Sequence, residues 1–335
     1  MTIRVYIWLR VLVLVVTLCC LGPMQVQAQK RIRFVTTGPK RMAILAGADS
    51  LALFWYDDTL RKPYLHQVYA PGGQLVTRGY PLLPRPEDTL DHPHQAGIWL
   101  TYEKVNQTDF WNNSAQAPAN KQGELGAIMV DNLLKAKPGK KAWLLYTARW
   151  KDRNGRILLQ EITSLYFKSG RRQTSIIRHT TLTAIDTVVF GDAKDGLMGM
   201  RVSRQLQIPA SPLDTLAKGN YLASTGLQGN AVWGQPAQWV MLYGPLLDKI
   251  VSVVMYDHPG NPGYPAYWHA RGYGLFAANN LARQAFNPSL PAQSLTLMPG
   301  ASTGFRYKLL LHAGDAAMPV DAVKKAAQRW AKKGT

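Results

Sequence analysis

The sequence has little cysteine, and both of its cysteines, Cys19 and Cys20, fall within the first 28 residues. The rest of the chain therefore has neither disulfides nor thiolate chemistry, and it depends on its core for stability. Long apolar runs are also missing after residue 28, which excludes a spanning helix there. Acidic residues are scarce: 20 Asp and Glu stand against 39 Lys and Arg, so the formal net charge is +19.

The N-terminal segment is typical of a secretory signal peptide. Arg4 and Arg10 precede an apolar run over residues 11–21, and residues 26–28 place small side chains where signal peptidase cleaves. A membrane anchor is the weaker alternative, because a spanning helix needs roughly 20 apolar residues. A lipoprotein is weaker too, since no small residue precedes either cysteine. We expect cleavage after Ala28 and a periplasmic or secreted mature protein.

The basic charge limits the possible partners. Removing the two leader arginines from +19 leaves +17 for residues 29–335. Such a field favours acidic glycans, lipopolysaccharide or nucleic acid. No zinc-finger, helix-turn-helix or RNA-binding sheet signature occurs, so we expect no nucleic-acid partner. A solvated basic surface is the leading interpretation, and an anionic carbohydrate or envelope partner is the alternative.

Period-two alternation of apolar and polar residues dominates the chain and indicates half-buried strands. In residues 142–167, two alternating runs meet at Asn154-Gly155, a pair that suits a tight primed turn. A terminal helix is predicted over residues 319–333, with one apolar stripe formed by Val320, Val323, Ala327 and Trp330. The other predicted strands cover residues 42–45, 51–56, 174–182, 198–207, 239–242, 250–256 and 305–312. No repeat or linker divides the chain, so residues 29–335 are predicted to form one all-β, mainly antiparallel sandwich domain with a C-terminal helix.

Polar side chains concentrate at Asp91-His92-Pro93-His94. Histidines at positions i and i+2 point to the same side of an extended chain. Three roles fit the pair: ligation of one divalent metal, acid/base catalysis, or hydrogen bonding to sugar hydroxyls. Glu103 shares the strand period of Trp99 and could complete a metal site or act as a catalytic acid. Structural histidines at a strand entrance are the alternative.

Two later segments resemble site loops. Residues 256–271 carry His258 and His269 in a Gly/Pro-rich stretch that favours presentation of side chains. Residues 190–201 are predicted to form a tight turn with one or two site residues. With Glu103 and the first histidine pair, His258 and His269 complete the catalytic candidates. The predicted substrate-binding residues are Arg78, Trp99, Lys194, Asp195, Arg201, Trp268 and Arg271.

Ordered motifs along most of the chain resemble one exported bacterial family. They include Lys62-Pro63-Tyr64, Asp91-His92-Pro93-His94, Asp109-Phe110-Trp111, Gly191-Asp192-Ala193-Lys194-Asp195-Gly196 and Trp268-His269-Ala270-Arg271. The family is commonly labelled methane oxygenase PmoA and otherwise treated as having unknown function. The label is not taken literally, because a membrane oxygenase subunit needs spanning helices. Members are similar in setting to proteins of glycan-using bacteria, which implies a carbohydrate role.

The sequence departs from that family pattern at Gln95, Ala96 and His179, where specificity or activity would change if the family residues bind metal or substrate. The expected fold is a large two-sheet sandwich similar to sugar mutarotases, with the four candidate histidines on one face. The expected function is acid/base or metal-assisted chemistry on a sugar, as an isomerase or epimerase, a lyase or a hydrolase. A non-catalytic periplasmic glycan-binding protein and a metal-dependent oxidase are the alternatives.

Overall fold

The computed structural model describes residues 29–332, and the predicted signal peptide over residues 1–28 lies outside the described residues. Within the described range no helix has both the length and the apolar character needed to cross a bilayer. The strands of this range, in chain order, are β1 (Ile32–Gly38), β2 (Arg41–Ala46), β3 (Asp49–Trp55), β4 (Tyr64–His66), β5 (Tyr69–Ala70), β6 (Gln74–Leu75), β7 (Ile98–Tyr102), β8 (Ala127–Lys137), β9 (Ala142–Lys151), β10 (Ile157–Ser169), β11 (Gln173–Ala184), β12 (Val188–Phe190), β13 (Gly196–Arg201), β14 (Asn220–Ala223), β15 (Trp239–Leu246), β16 (Lys249–Asp257), β17 (Tyr267–Ala270), β18 (Leu275–Asn279), β19 (Leu295–Leu297) and β20 (Ser302–Gly314). The helices are α1 (Ala119–Gln122) and α2 (Val320–Ala331).

Two eight-stranded sheets form most of the described chain, with two small two-stranded sheets, β5-β6 and β12-β19, and the strand pairings are antiparallel. The first sheet has the order β1-β2-β3-β4-β7-β13-β18-β17, and the second has the order β14-β15-β16-β20-β11-β10-β9-β8. One hydrophobic core joins their inner faces, as where Phe54 of the first sheet packs against Tyr146 of the second with ring centroids 5.2 Å apart. The prediction of a mainly antiparallel β-sandwich with a C-terminal helix is therefore confirmed.

Strand alternation explains how the second sheet forms. In β9 every second residue is buried, from Ala142 to Trp150, because side chains of a strand alternate between its faces. The turn from β9 to β10 differs from the primed turn predicted there. Gly155 has a positive φ of 81°, whereas Asn154 does not, and the Asp152 carboxylate accepts hydrogen bonds from the N–H groups of Asn154 and Arg156.

Helix α2 packs on the outer face of the second sheet. Its buried residues are Val323, Ala326 and Trp330, which contact a cluster that includes Trp239 of β15. Val320, placed on the apolar stripe by the sequence, is 37% exposed. The stripe is therefore narrower than predicted, and Pro319, which was predicted in the first turn, lies instead at the N-cap of a helix that starts at Val320.

The outer face of the first sheet carries a second apolar layer. Trp99 of β7 lies there under Trp111, with ring centroids 5.2 Å apart, and Leu275 and Ala277 of β18 join the same cluster. The predicted strand over residues 198–207 is wrong in its second half, because β13 ends at Arg201 and a 3₁₀ turn follows. Polar side chains surround this layer and form the candidate site.

Candidate functional site

Asp91 is held by two buried arginines. Arg78 and Arg201, whose side chains are fully buried, each donate to the Asp91 carboxylate at 2.8 Å. Burial alone would raise the pKa of Asp91, but hydrogen bonds from His92 and Arg201 lower it far below its usual range. Arg78 and Arg201 were predicted to position substrate oxygens. Arg78 is buried on Asp91 and on backbone carbonyls, and Arg201 is buried on Asp91 and on the side-chain oxygen of Gln95, so that prediction is corrected to an internal role.

The His92–His94 segment is a turn, and the extended chain expected there is not formed. The N–H of Gln95 donates to the carbonyl of His92 at 2.9 Å, and His92 has a φ of 45°. The two rings meet edge to face with centroids 5.6 Å apart. His92 is exposed, whereas His94 is buried. His92 Nδ1 lies 2.5 Å from a carboxylate oxygen of Asp91.

His94 lies in an electropositive, desolvated environment. Burial first, then the charges of Lys62 and His92, lower its pKa well below 6.5, while Asp195 opposes the shift. His94 is therefore neutral at pH 7. Lys62 is itself 1% exposed, donates to the Trp111 carbonyl at 2.5 Å, and has its pKa lowered to about 7 by burial.

Asp195, at the entry to β13, links two further candidates. Its carboxylate lies 3.0 Å from Nδ1 of His269 and 2.9 Å from Nζ of Lys194. Burial would raise the pKa of Asp195, but His269 and Lys194 hold it below its usual range. Glu103, whose N–H donates to the Asp195 carbonyl, has its pKa raised by burial and by the charges of Asp195 and Asp109.

Aromatic and cationic groups connect these two parts. Tyr273 stacks on His92 with ring centroids 5.1 Å apart, and Arg271 lies over both Tyr273 and Trp233 at 5.8 and 5.3 Å. The Trp233 ring in turn meets His269 at 6.4 Å. A continuous rim therefore runs from Asp91 to Asp195, and its outer members Arg271 and Trp233 are exposed.

Three predicted site residues are not part of this exposed rim. His258 follows β16 of the second sheet and packs edge to face on Trp330 with centroids 5.0 Å apart, so the expectation that four histidines share one face is wrong. Trp268 is fully buried and donates to the Ala237 carbonyl, and Trp99 is fully buried under Trp111. Because both indoles are buried, neither can stack on a sugar, and the prediction that they do so is corrected.

Four residues of this surface were not predicted as site residues from the sequence: Asp91, Lys62, Trp233 and Tyr273. The motif Lys62-Pro63-Tyr64 marked the lysine, but its burial depends on the loop around Trp111, which no local pattern specifies. Gln95 accepts from Arg201 at 2.5 Å, so this departure from the family pattern is part of the arginine network. Ala96 lies in the outer apolar layer, and His179 lies on the second sheet.

Metal binding at His92 and His94 remains a prediction. Within residues 29–332 no three His, Cys, Asp or Glu side chains are grouped so that they could share an ion. The pair alone offers fewer than the three protein ligands of a typical catalytic zinc site, and His92 Nδ1 is engaged by Asp91.

A family model described as a family of unknown function, DUF6807, matches residues 41–328. The chain belongs to this family. Its description carries no methane oxygenase label, so the resemblance is supported only as far as a family of unknown function. No curated protein is significantly similar to this member of DUF6807 in sequence.

Several solved structures align with most of the DUF6807 chain. The Slr1438 protein from Synechocystis sp. PCC 6803 is 10% identical with a TM-score of 0.33, covering 87% of this chain and 96% of its own. A galactose mutarotase related enzyme from Lactobacillus acidophilus is 8% identical with a TM-score of 0.36, covering 85% and 98%. A galactose mutarotase-like protein from Lactobacillus casei ATCC 334 is 10% identical with a TM-score of 0.32, covering 84% and 100%.

Proposed function

We propose that this protein is an exported carbohydrate-active protein that performs acid/base chemistry on a sugar at the outer face of the first sheet. Support comes from two carboxyl groups whose environments move their pKa values in opposite directions. The pKa of Glu103 is raised and the pKa of Asp195 is lowered, although a backbone hydrogen bond of 2.9 Å joins the two residues. Such divergence separates a proton donor from a proton acceptor within one site.

The histidines extend this pair. His94 is kept neutral by burial and by the Lys62 charge, so it can accept a proton or a hydroxyl hydrogen bond at pH 7. His269 is buried and faces the Asp195 carboxylate, which fixes its ring. In this proposal Asp195 accepts one proton from the sugar and Glu103 donates one in return, while His94 accepts a hydrogen bond from a sugar hydroxyl and His269 is a positioning residue.

The exposed rim is suited to a carbohydrate. Trp233 is 37% exposed and presents an indole on which the apolar face of a pyranose can stack. Arg271, which lies over the Trp233 ring, and Lys194, which pairs with Asp195, are exposed cations that can donate to hydroxyl or carboxylate oxygens of a glycan. The net positive charge of the mature chain would attract acidic glycans to this surface.

The test is calorimetry with mono- and oligosaccharides, followed by NMR analysis of products. We expect binding, turnover of at least one sugar, and loss of turnover in Asp195→Asn and His94→Gln by 100-fold or more, on the order of one general acid/base group. His258→Gln, on the other sheet, is the matched control and should retain activity. Binding that persists in the wild type without any product would instead make the protein a glycan-binding module. Absence of both binding and turnover across the sugars would overturn the carbohydrate assignment.

A further inference from the structure

Three basic segments that are far apart in the sequence meet at one end of the molecule. They are residues 30–33 at the start of β1, residues 137–141 where β8 turns into β9, and residues 170–173 where β10 turns into β11. Backbone bridges join them: Ile32 and Gly139 exchange two hydrogen bonds of 2.9 Å, and the N–H of Lys30 donates to the Ser169 carbonyl at 2.9 Å. The start of β1 therefore lies against both turns.

The cations at this end are exposed and largely uncompensated. Seven exposed side chains, named here the basic end, are Arg31, Arg33, Lys137, Lys140, Lys141, Arg171 and Arg172. Within residues 29–332 none of the seven forms an ion pair with an acidic side chain. The nearby carboxylates have other partners, since Asp49 pairs with Lys30, and Asp315 pairs with Lys249 at 3.1 Å. Like charges gathered in this way repel one another, so an external anionic partner would stabilise them.

The chemistry of the basic end selects among anionic partners. Lysine and arginine only donate hydrogen bonds, which suits a phosphate group whose oxygens only accept. Sugar hydroxyls both donate and accept, and the three segments contain no aromatic residue on which a sugar ring could stack. The depression beside β1, lined by Lys30, Asp49 and Ser169, has a volume of about 10 Å³, which is room for a water molecule and not for a sugar ring. A surface of phosphate groups therefore fits this end better than a polysaccharide chain.

We propose that the basic end docks on a lipid bilayer whose surface carries anionic phospholipid headgroups. Each Lys or Arg near such a surface contributes about fivefold in affinity, so cations from three segments act together where one would bind too weakly. Docking is independent of the proposed catalytic face, because β1 lies at one edge of the first sheet and β17, which carries His269, lies at the other. The docked molecule would keep that face open to solvent.

Sedimentation of the mature protein with lipid vesicles tests the proposal. Vesicles of phosphatidylglycerol and phosphatidylcholine in equal parts should bind the protein, whereas vesicles of phosphatidylcholine alone should not. Binding should weaken as salt is added, because ions screen exposed charges. Equal binding to both kinds of vesicle, or no binding to the charged ones, would overturn the proposal. Sugar turnover has no part in this measurement, so its result does not depend on the proposed function.

Triple variants locate the docking surface. Arg31→Gln/Lys140→Gln/Arg171→Gln removes one cation from each segment and should weaken vesicle binding about 100-fold, at about fivefold for each charge. Arg31→Lys/Lys140→Arg/Arg171→Lys keeps the charges and should bind as the wild type does. Thermal denaturation checks that both variants fold. Loss of binding in the charge-conserving variant would show that the cations are not its cause, and the proposal would fail.

A matched control separates the basic end from the net charge of the chain. It removes three exposed cations of α2 and should bind vesicles as the wild type does: Lys324→Gln/Lys325→Gln/Arg329→Gln. Equal losses in the two glutamine variants would show that net charge alone attracts the bilayer, and would refute docking through the basic end. Polygalacturonate and duplex DNA are the other polyanions to test. If the basic-end glutamine variant loses binding to either of these but not to charged vesicles, the partner is a polysaccharide or a nucleic acid and the proposal is wrong.

Discussion

Nδ1 of His269 lies 3.0 Å from a carboxylate oxygen of Asp195, although the two residues belong to β17 and to the start of β13, with β18 between these strands. The contact is close because alternation turns His269 to the outer face of the first sheet while its neighbours Trp268 and Ala270 enter the core. Sheet pairing therefore brings His269 to the same surface as His94.

The pKa of His94 should respond in opposite directions to two substitutions. Lys62→Met removes a positive charge and should raise the pKa of His94, whereas Asp195→Asn removes a negative charge and should lower it further. The measurement is an NMR titration of the histidine ring protons, with His94 assigned from His94→Gln. Arg171→Gln is the control and should leave the titration unchanged. Shifts of the same sign in both variants would contradict this electrostatic arrangement.

Lys62 should make stability depend on pH in a defined window. Its pKa is lowered from 10.5 to about 7 in the folded chain, so between these values the unfolded chain binds a proton that the folded chain does not. The free energy of unfolding should therefore rise with pH from about 7 to 10.5, by a few kcal/mol at most, and fall as pH decreases toward 7.

Urea denaturation across this window measures the Lys62 contribution. Lys62→Met should flatten the rise, because the titrating amine is gone. Lys121→Met, which changes an exposed lysine of α1, should keep the wild-type slope. An unchanged slope in Lys62→Met would show that another group causes the dependence.

Loss of Asp91 should destabilise the fold, because it leaves the fully buried guanidinium groups of Arg78 and Arg201 without their counter-ion. Removing one partner of a buried ion pair costs about 3–5 kcal/mol. The loss of stability in Asp91→Ala should lie at the lower end of this range, since the Asp91 side chain is partly exposed. Asp186→Ala, which breaks an exposed pair with Arg156, should cost much less stability, because exposed ion pairs contribute little. Similar losses in chemical denaturation for both variants would contradict the internal role of the arginines.

Local patterns predicted most of the strands but not which sheet each one joins. In residues 174–182, apolar and polar side chains alternate, which indicates the two faces of a strand, and this run lies within β11. His258 and His269 are eleven residues apart in the sequence, yet β16 pairs with β20 in the second sheet and β17 pairs with β18 in the first. That separation depends on long-range pairing, which period-two patterns do not encode.

Burial of side chains by loops was the other feature that the sequence patterns did not predict. Trp99 faces outward from β7, as a ligand-stacking residue would, but the loop that carries Trp111 covers it. The same loop buries Lys62 through the Trp111 carbonyl. Strand periodicity describes one sheet face at a time and contains no information on a loop that folds over it, so these two residues could be assigned only from the structure.

Packing of this outer layer leads to a final prediction. A Cβ at Gly199 would lie 2.6 Å from ring atoms of Trp99 and 2.9 Å from Trp111, closer than carbon atoms approach. Gly199→Ala should therefore force both indoles to move and cost about 1–3 kcal/mol. Gly304→Ala is the matched control on β20, where the nearest atom is 3.8 Å away, and it should be neutral or stabilising. Because the Trp111 carbonyl also accepts a hydrogen bond from Lys62, the Gly199 variant should in addition shift the His94 titration. Equal stability of both alanine variants would show instead that the outer layer is loosely packed.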